Sequence, residues 1–492
     1  MVKKAKKSKF ERKKIFMNLD LELESLRELL YHASDIVVRL YADFDNKRIF
    51  HGKSPAEVRA LFEEPLPREP QDVRSLLESV ERDVFSGATL NISPHFLAYV
   101  MSGANHVGIL AELLGAALNQ NCTKWHLAAS AAEIEQQVIR WIAEFISYPS
   151  DAGGVLVSGG SVANLTCLAV ARKVKAPFDV SKDGVRAGPP LTVYVSEEVH
   201  SCIDKGIDML GLGKDQLRKI PVNDDFTINE EKLEAQIMED KSSGYFPICV
   251  IGNGGTINSG AVDPLETLAD ICAKHDLWFH VDAAYGGPAA ATEIAHDLFR
   301  GIDRADSVVL DLHKWLYVPF EAACVLVKHR QDLRDTFSIL PDYLRFDVDK
   351  SERVDFMEYS FQLSRNFKAL KVWMTFKGYG TERLRATIQE NIKTMRYLAD
   401  LIDQSDDFER LAPVPLSAVC FRYRTEDAQY HHDEAYLSSL NKKLLDAVEK
   451  DGRVFITGTM IRGKTALRAC CVNHRTQPSH VEYLLSVLRE LG

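Results

Sequence analysis

The chain has 492 residues, 46% of them hydrophobic and 26% charged, with a formal net charge of −10. That balance suits a globular protein of two or three domains, and no apolar run approaches the length of a membrane span. Nine cysteines lack a CxxC pair or a zinc-type spacing, which excludes a disulfide scaffold and fits reduced thiols in a cytoplasmic protein.

The first fourteen residues stand apart. Lys3, Lys4, Lys6, Lys7, Lys9, Arg12, Lys13 and Lys14 against Glu11 give +7, leaving −17 on the remainder. A solvated tail fits this segment, as does a basic arm for a nucleic acid or membrane surface. The acidic body has no interleaved basic and aromatic stripe, so neither nucleic acid nor membrane is expected as a partner. Asn91, Asn121 and Asn164 head Asn-x-Ser/Thr triplets; with no signal peptide opening the sequence, no glycan is expected.

From about Leu19 to Val84 apolar residues recur at helical spacing, as in Leu23, Leu26, Leu29 and Leu30, interrupted by the Pro-rich stretch Glu64–Pro70. From about Gly153 short apolar runs alternate with helical patterns. The predicted strands are Gly154–Val157, Thr192–Val195, Ile248–Gly252, Trp278–Val281, Ser307–Leu310 and Ala323–Val327. The predicted helices include Ala163–Val174, Glu198–Leu210 and Leu265–His275. This alternation predicts an α/β fold with a mostly parallel central sheet flanked by helices, binding ligands at the strands' carboxyl ends. A helix around Glu382–Ile402 leads to strands at Ala418–Tyr423, Val454–Thr457 and Leu467–Val472 and a last helix from about His480. The expected organisation is an N-terminal helical segment with its tail over 1–92, a large domain over 93–375 and a small α+β domain over 376–492.

Four strand ends carry unusual polar residues. Ser158-Gly159-Gly160-Ser161-Val162-Ala163-Asn164 is a glycine turn opening a helix, suited to a phosphate, although such a turn is often only a turn. Asp282 in His280-Val281-Asp282-Ala283-Ala284-Tyr285 ends an apolar strand, where an acid needs a partner. A protonated ring nitrogen, a bound cation or a helix cap would each serve. His280, Asp282 and His313 are metal-ligand types, but no HxxxH pair supports a metal and none is expected. Lys314, in Asp311-Leu312-His313-Lys314-Trp315-Leu316, lies in an apolar run, where burial is expected to lower its pKa and give a nucleophilic amine. His200, in Glu198-Val199-His200-Ser201, reads equally as a loop histidine. Together they supply what pyridoxal 5′-phosphate (PLP) needs: a phosphate cup, an amine, an acid for the pyridine nitrogen and a flat group over the ring.

These stretches resemble the group II PLP-dependent decarboxylases, the family of aromatic-L-amino-acid, histidine and glutamate decarboxylases. The similarity runs from about Ser93 to the C-terminus and is most specific at His280–Tyr285 and His313–Leu316. It implies PLP fold type I and a homodimer with shared active sites, acting on an amino acid as its small-molecule substrate. By the same resemblance Lys314 is the imine-forming lysine, Asp282 pairs with the pyridine nitrogen, and His200 stacks on the ring. Thr256 falls near the ring hydroxyl, Gly160 and Ser161 at the phosphate, with Asp306–Ser307 nearby, and Ala284 and His313 around the cofactor. Tyr343, in Leu340-Pro341-Asp342-Tyr343-Leu344, matches the loop tyrosine that protonates the substrate carbon, and Leu340–Tyr359 is expected to be an exposed mobile loop. Arg365 is expected to be a structural or loop-anchoring cation.

Ser93–Tyr99 resembles the aromatic enzymes' pocket segment, and Trp125 falls where they place a pocket aromatic from the partner subunit, though it fits interface packing as well. Val100-Met101 and His126 depart from that pattern. The expected reaction is decarboxylation of an L-amino acid, aromatic in side chain, with the site's control of the Cα–carboxylate orientation selecting it. An acidic or other non-aromatic substrate, an aldehyde synthase or other PLP lyase, and a silent scaffold homologue are the competing readings.

Overall fold

The computed structural model describes residues 19–339, 353–425 and 427–492. The chain divides into two compact units, Met1–Leu90 and Asn91–Gly492. In the first, helices span Leu23–Tyr41, Pro55–Phe62 and Val73–Ser79. The second is started by Ser54 and Glu57, which form a reciprocal capping box.

The second unit is built on a seven-stranded sheet of order β1-β7-β6-β5-β4-β2-β3. The strands are β1 (Gly153–Val157), β2 (Leu191–Ser196), β3 (Leu217–Ile220), β4 (Phe246–Asn253), β5 (Trp278–Asp282), β6 (Ser307–Asp311) and β7 (Ala323–Val327). The β3-β2-β4-β5-β6 run is parallel, and β7 lies antiparallel between β6 and β1. Every residue of β1, β2, β5, β6 and β7 is buried, as continuous apolar runs require when helices cover both faces. The fold is the α/β architecture expected, and no described helix is long and apolar enough to cross a membrane.

A second sheet, β10-β11-β9-β8, is antiparallel: β8 (Phe408–Arg410), β9 (Ala418–Tyr423), β10 (Thr457–Ile461) and β11 (Lys464–Cys470). Its core joins Phe421 and Leu467 to Leu398, Leu484 and Leu488 from the helices Thr381–Asp403 and Pro478–Leu491.

Several boundaries differ from the sequence reading. β10 begins at Thr457, where the expected strand was to end, and Val454 packs in the core as irregular chain. β3 and β8 were not anticipated, because each is a short edge strand with charged, partly exposed positions. Residue 375 falls inside the helix Lys368–Tyr379; the chain turns instead at Gly380, whose φ of +74° favours glycine. Val354, Phe356, Met357 and Tyr359 are buried, so the end of the supposed exposed loop belongs to the core. Residues 340–352, with Tyr343, lie outside the described residues.

Candidate active site

The carboxyl ends of the large sheet meet at one cavity of about 320 Å³. Register explains the convergence. Val157 and Asp311 pair with the same residue, Ala323, from either side of β7, so the turn after β1 lies beside the end of β6. Asn253 pairs with Asp282, which pairs with Val309. Gly160, Ser161, His200, Thr256, Asp282, Ala284, His313 and Lys314 all line the cavity.

The helix Gly160–Lys175 opens at this level without a side-chain cap, leaving its first N–H groups for a ligand. A Cβ on Gly160 would lie 2.9 Å from Asp311 Oδ2, so this close approach needs glycine.

Lys314 lies on the single helical turn Leu312–Trp315 that follows β6. Its Nζ is 2.8 Å from Asp311 Oδ2. Burial pulls the amine down, but the attraction and hydrogen bond of Asp311, joined by the charge of Asp282, outweigh it and hold Lys314 above the usual lysine range. The expectation of a lowered pKa is thereby corrected. Asp311 Oδ1 is buried and accepts no hydrogen bond among the described residues.

Asp282 Oδ1 accepts from the Ala284 N–H at 3.1 Å, and Oδ2 from Asn164 Nδ2 at 2.9 Å. Burial pushes this carboxyl above the usual range, and the nearby Lys314 charge only partly offsets that. His200 caps the helix Ser201–Met209, its Nδ1 accepting from the Cys202 N–H at 3.2 Å. The ring keeps an exposed edge, yet desolvation at the cavity holds its pKa below the usual histidine value. Neutral His200 therefore carries its proton on Nε2. His313 is likewise pulled down by burial, its Nδ1 held 2.9 Å from the Ala322 carbonyl. Thr256 Oγ1 pairs with Ser259 Oγ at 3.0 Å.

Four expected residues are not brought to the cavity. Ser307 starts β6, four residues before Asp311 and so roughly 13 Å along the strand. It is fully buried between Trp278 and His280, and cannot reach a phosphate at the other end. Asp306, beside it, accepts from the Phe279 N–H. Tyr99 is 55% exposed and holds Arg468 through its carbonyl at 2.9 Å. Trp125 donates from Nε1 to Glu133 at 2.7 Å, and the Arg353 guanidinium stacks 4.7 Å from its ring. Neither Tyr99 nor Trp125 lines the cavity within one chain.

Asp311, Asn164, Glu198, Phe320 and Glu321 line it without having been singled out. Asp311 had a signal: three residues before Lys314, it reaches the same face of one helical turn. Arg365 is buried, donating to the Cys122 and Leu156 carbonyls at 3.0 and 2.8 Å and pairing with Glu135. That clamp ties the chain after residue 352 to β1. Among the described residues no cluster of His, Cys, Asp or Glu could hold a metal.

Residues 55–424 match the family described as the pyridoxal-dependent decarboxylase conserved domain. The chain belongs to this family. The decarboxylase-family enzyme is 34% identical over 476 residues to an aromatic-L-amino-acid decarboxylase of Bacillus atrophaeus, covering 96% of this chain and 97% of that one. It is 30% identical to a phenylacetaldehyde synthase of Petunia hybrida, over 95% and 94% of the two chains. The crystal structure of Oryza sativa TDC with PLP and tryptamine matches with a TM-score of 0.91 and 25% identity, over 96% and 99%. The fold is thus that of the fold-type I PLP decarboxylases, and PLP is the enzyme's cofactor. The residues present fit it: uncapped N–H groups at Gly160, a partly buried amine at Lys314, a buried carboxylate at Asp282 and a neutral imidazole at His200.

Proposed function

We propose that the enzyme decarboxylates an L-amino acid with an aromatic side chain, releasing the amine and CO2. The observation that carries the substrate class is the charge of the cavity wall. Glu198, Asp282, Asp311 and Glu321 line it, and Lys314 is the only Lys or Arg among the described lining residues. With Lys314 committed to the cofactor, an acidic side chain would meet like charge and no free cation among the described lining residues. Ile257 and Phe320 line the same cavity and are 37% and 54% exposed, which suits a flat apolar ring. The name of the Bacillus atrophaeus relative supports the same reading.

Bound PLP supplies a sink for the electron pair of the breaking Cα–carboxylate bond. In our reading Lys314 holds the cofactor covalently, Asp282 keeps the proton on its pyridine nitrogen, and the Gly160–Ser161 N–H groups take its phosphate. Thr256, Ala284 and His313, which line the same cavity, would hold the cofactor's ring from its sides. His200 would stack on the ring, where a neutral imidazole would add no charge to compete with Asp282. The apolar side chains of Ile257 and Phe320 would keep water from the departing carboxylate. Tyr343 delivers the proton to the carbon that loses CO2, and Lys314 then releases the amine. The phenylacetaldehyde synthase relative makes aldehyde production the second reading; retention of Tyr343 with His200 favours the amine.

The active unit in this proposal is a homodimer. Leu110, Leu113, Leu114 and Leu118, on the helix His106–Leu118, are each more than half exposed, as is Leu127. A run of exposed leucines on one helix fits burial against a second copy, whose Trp125 would complete the pocket. A screen of aromatic and acidic L-amino acids, scored for CO2 and for amine or aldehyde, tests the reaction. Turnover of tryptophan, tyrosine or phenylalanine to the amine is expected. Exclusive turnover of glutamate, aspartate or cysteine sulfinate would overturn the substrate class, and Lys314→Ala must remove the activity and the borohydride-reducible colour.

A further inference from the structure

Behind Asp282 runs a buried chain of polar groups that the reaction itself does not use. Trp278 Nε1 lies 2.8 Å from Ser307 Oγ, and Ser307 Oγ lies 2.8 Å from His280 Nδ1. His280 Nε2 is 2.8 Å from Asn164 Oδ1, and Asn164 Nδ2 is 2.9 Å from Asp282 Oδ2. Asn164, His280 and Ser307 are fully buried, so water cannot complete their bonding.

The direction of every bond follows from the two ends. An indole N–H can only donate, so Ser307 Oγ accepts from Trp278. A carboxylate can only accept, so Asn164 turns its amide nitrogen toward Asp282 and its carbonyl toward His280. His280 then carries its proton on Nε2, and its Nδ1 lone pair faces the remaining Ser307 hydroxyl hydrogen. Reversing any one link would set two acceptors or two donors together in a dry site, where an unpaired group is most costly. The second Asn164 amide hydrogen points at Cys202 Sγ, 3.5 Å away.

We propose that Asn164 and His280 are positioning residues that keep Asp282 ionised and aimed at the cofactor's ring nitrogen, through a chain in which every donor points toward that carboxylate. The inference rests on the reading of Asp282 as the partner of that nitrogen. Burial alone would favour a neutral acid, which could not hold a pyridinium proton. The chain offsets that cost without introducing a second charge, because His280 is neutral. The same bonds fix the carboxylate's rotation, one oxygen accepting from Asn164 and the other from the Ala284 N–H.

Three measurements test it. In cofactor-free wild-type enzyme carrying ¹⁵N-histidine, with the His280 signal assigned by its loss in His280→Gln, the Nε2-protonated tautomer is expected; Nδ1 protonation would overturn the proposal without any variant having to fold. PLP binding to the apoenzyme, followed by tryptophan fluorescence quenching, should weaken about 10- to 100-fold in Asn164→Leu and His280→Phe, as expected for loss of a hydrogen bond to a buried charge. His280→Gln, which keeps a donor at the Nε2 position, should restore most of the affinity and the wild-type visible spectrum. Asp282→Asn separates the two levels of the argument. If it alters spectrum and affinity while the Asn164 and His280 variants match wild type, the chain has no positioning role. If it too matches wild type, the Asp282 reading fails and the inference with it.

Discussion

Asp311 Oδ2 lies 2.8 Å from Lys314 Nζ, across the one helical turn that leaves β6. The pair turns the cavity's amine into an ammonium in the free protein, since Asp311 outweighs the desolvation that pulls Lys314 down. A neutral amine is needed to bond an aldehyde, so Asp311 sets the pH at which the apoenzyme captures its cofactor.

Asp311→Asn should therefore speed cofactor capture at neutral pH. Removing the carboxylate leaves burial opposed only by the weaker pull of Asp282, so the Lys314 pKa falls and more of the amine is neutral at a given pH. The rate of visible absorbance growth on mixing apoenzyme with PLP should rise with pH in both proteins, with the rise displaced to lower pH in the variant. Superimposable profiles would show that Asp311 does not control Lys314. The sign for stability follows too: a raised amine pKa contributes stability that is complete below about pH 10.5 and lost as pH climbs through the higher folded value.

His280 predicts an acid weakness. Burial holds its pKa down to about 4, against an ordinary value near ~6.5. Between those two values the unfolded chain takes up a proton that the folded protein refuses, so stability falls as pH drops through that window, by up to ~3 kcal/mol. Buried Asp263, whose carboxyl is pushed up to about 6, acts in the opposite sense over part of the same range. The comparison must therefore be with His280→Gln, whose Tm should fall less than that of wild type between pH 6.5 and pH 4. Parallel Tm curves would remove His280 as the cause.

Arg365→Leu should cost about 3–5 kcal/mol, because it strands the Glu135 charge in the core rather than merely removing a contact. The Cys122 and Leu156 carbonyls lose their donor as well. The double variant with Glu135→Leu should recover much of that loss, read as Tm in a double-mutant cycle. A single-variant Tm equal to wild type would mean that the clamp holds nothing.

Tyr343→Phe should divert the product from amine to aldehyde. Phenylalanine keeps the ring's bulk but removes the phenol, the side chain's only transferable proton, with a free pKa of about 10. The carbon that has lost CO2 then stays electron-rich long enough for O2 to oxidise it. With one O2 and one water consumed, the products are one aldehyde, one ammonia, one CO2 and one peroxide. An oxygen electrode with product chromatography decides it: a slower enzyme that still forms only amine, without oxygen uptake, would assign Tyr343 to packing alone.

Chemistry written into contiguous stretches was legible from the sequence, because each one combines a backbone signal with an out-of-place side chain. Gly159-Gly160-Ser161 opens a helix, Asp282 ends an apolar strand, and Lys314 interrupts an apolar run; all line the cavity. Their meeting follows from alternating strands and helices, since a parallel sheet brings successive strand ends to one edge. What tertiary structure alone decided were relations across strands. Nothing in the order of residues 164, 280 and 307 says that they bond in a row, which requires β5 and β6 to pair at His280 and Ser307 and the Gly160–Lys175 helix to lie over them. The same pairing took Ser307 away from the phosphate end, because a side chain's distance from a site depends on its place along the strand and not on its nearness in sequence. The Lys314 charge state was decided in the same way: burial and Asp311 pull in opposite directions, and only the 2.8 Å separation determined that the carboxylate prevails.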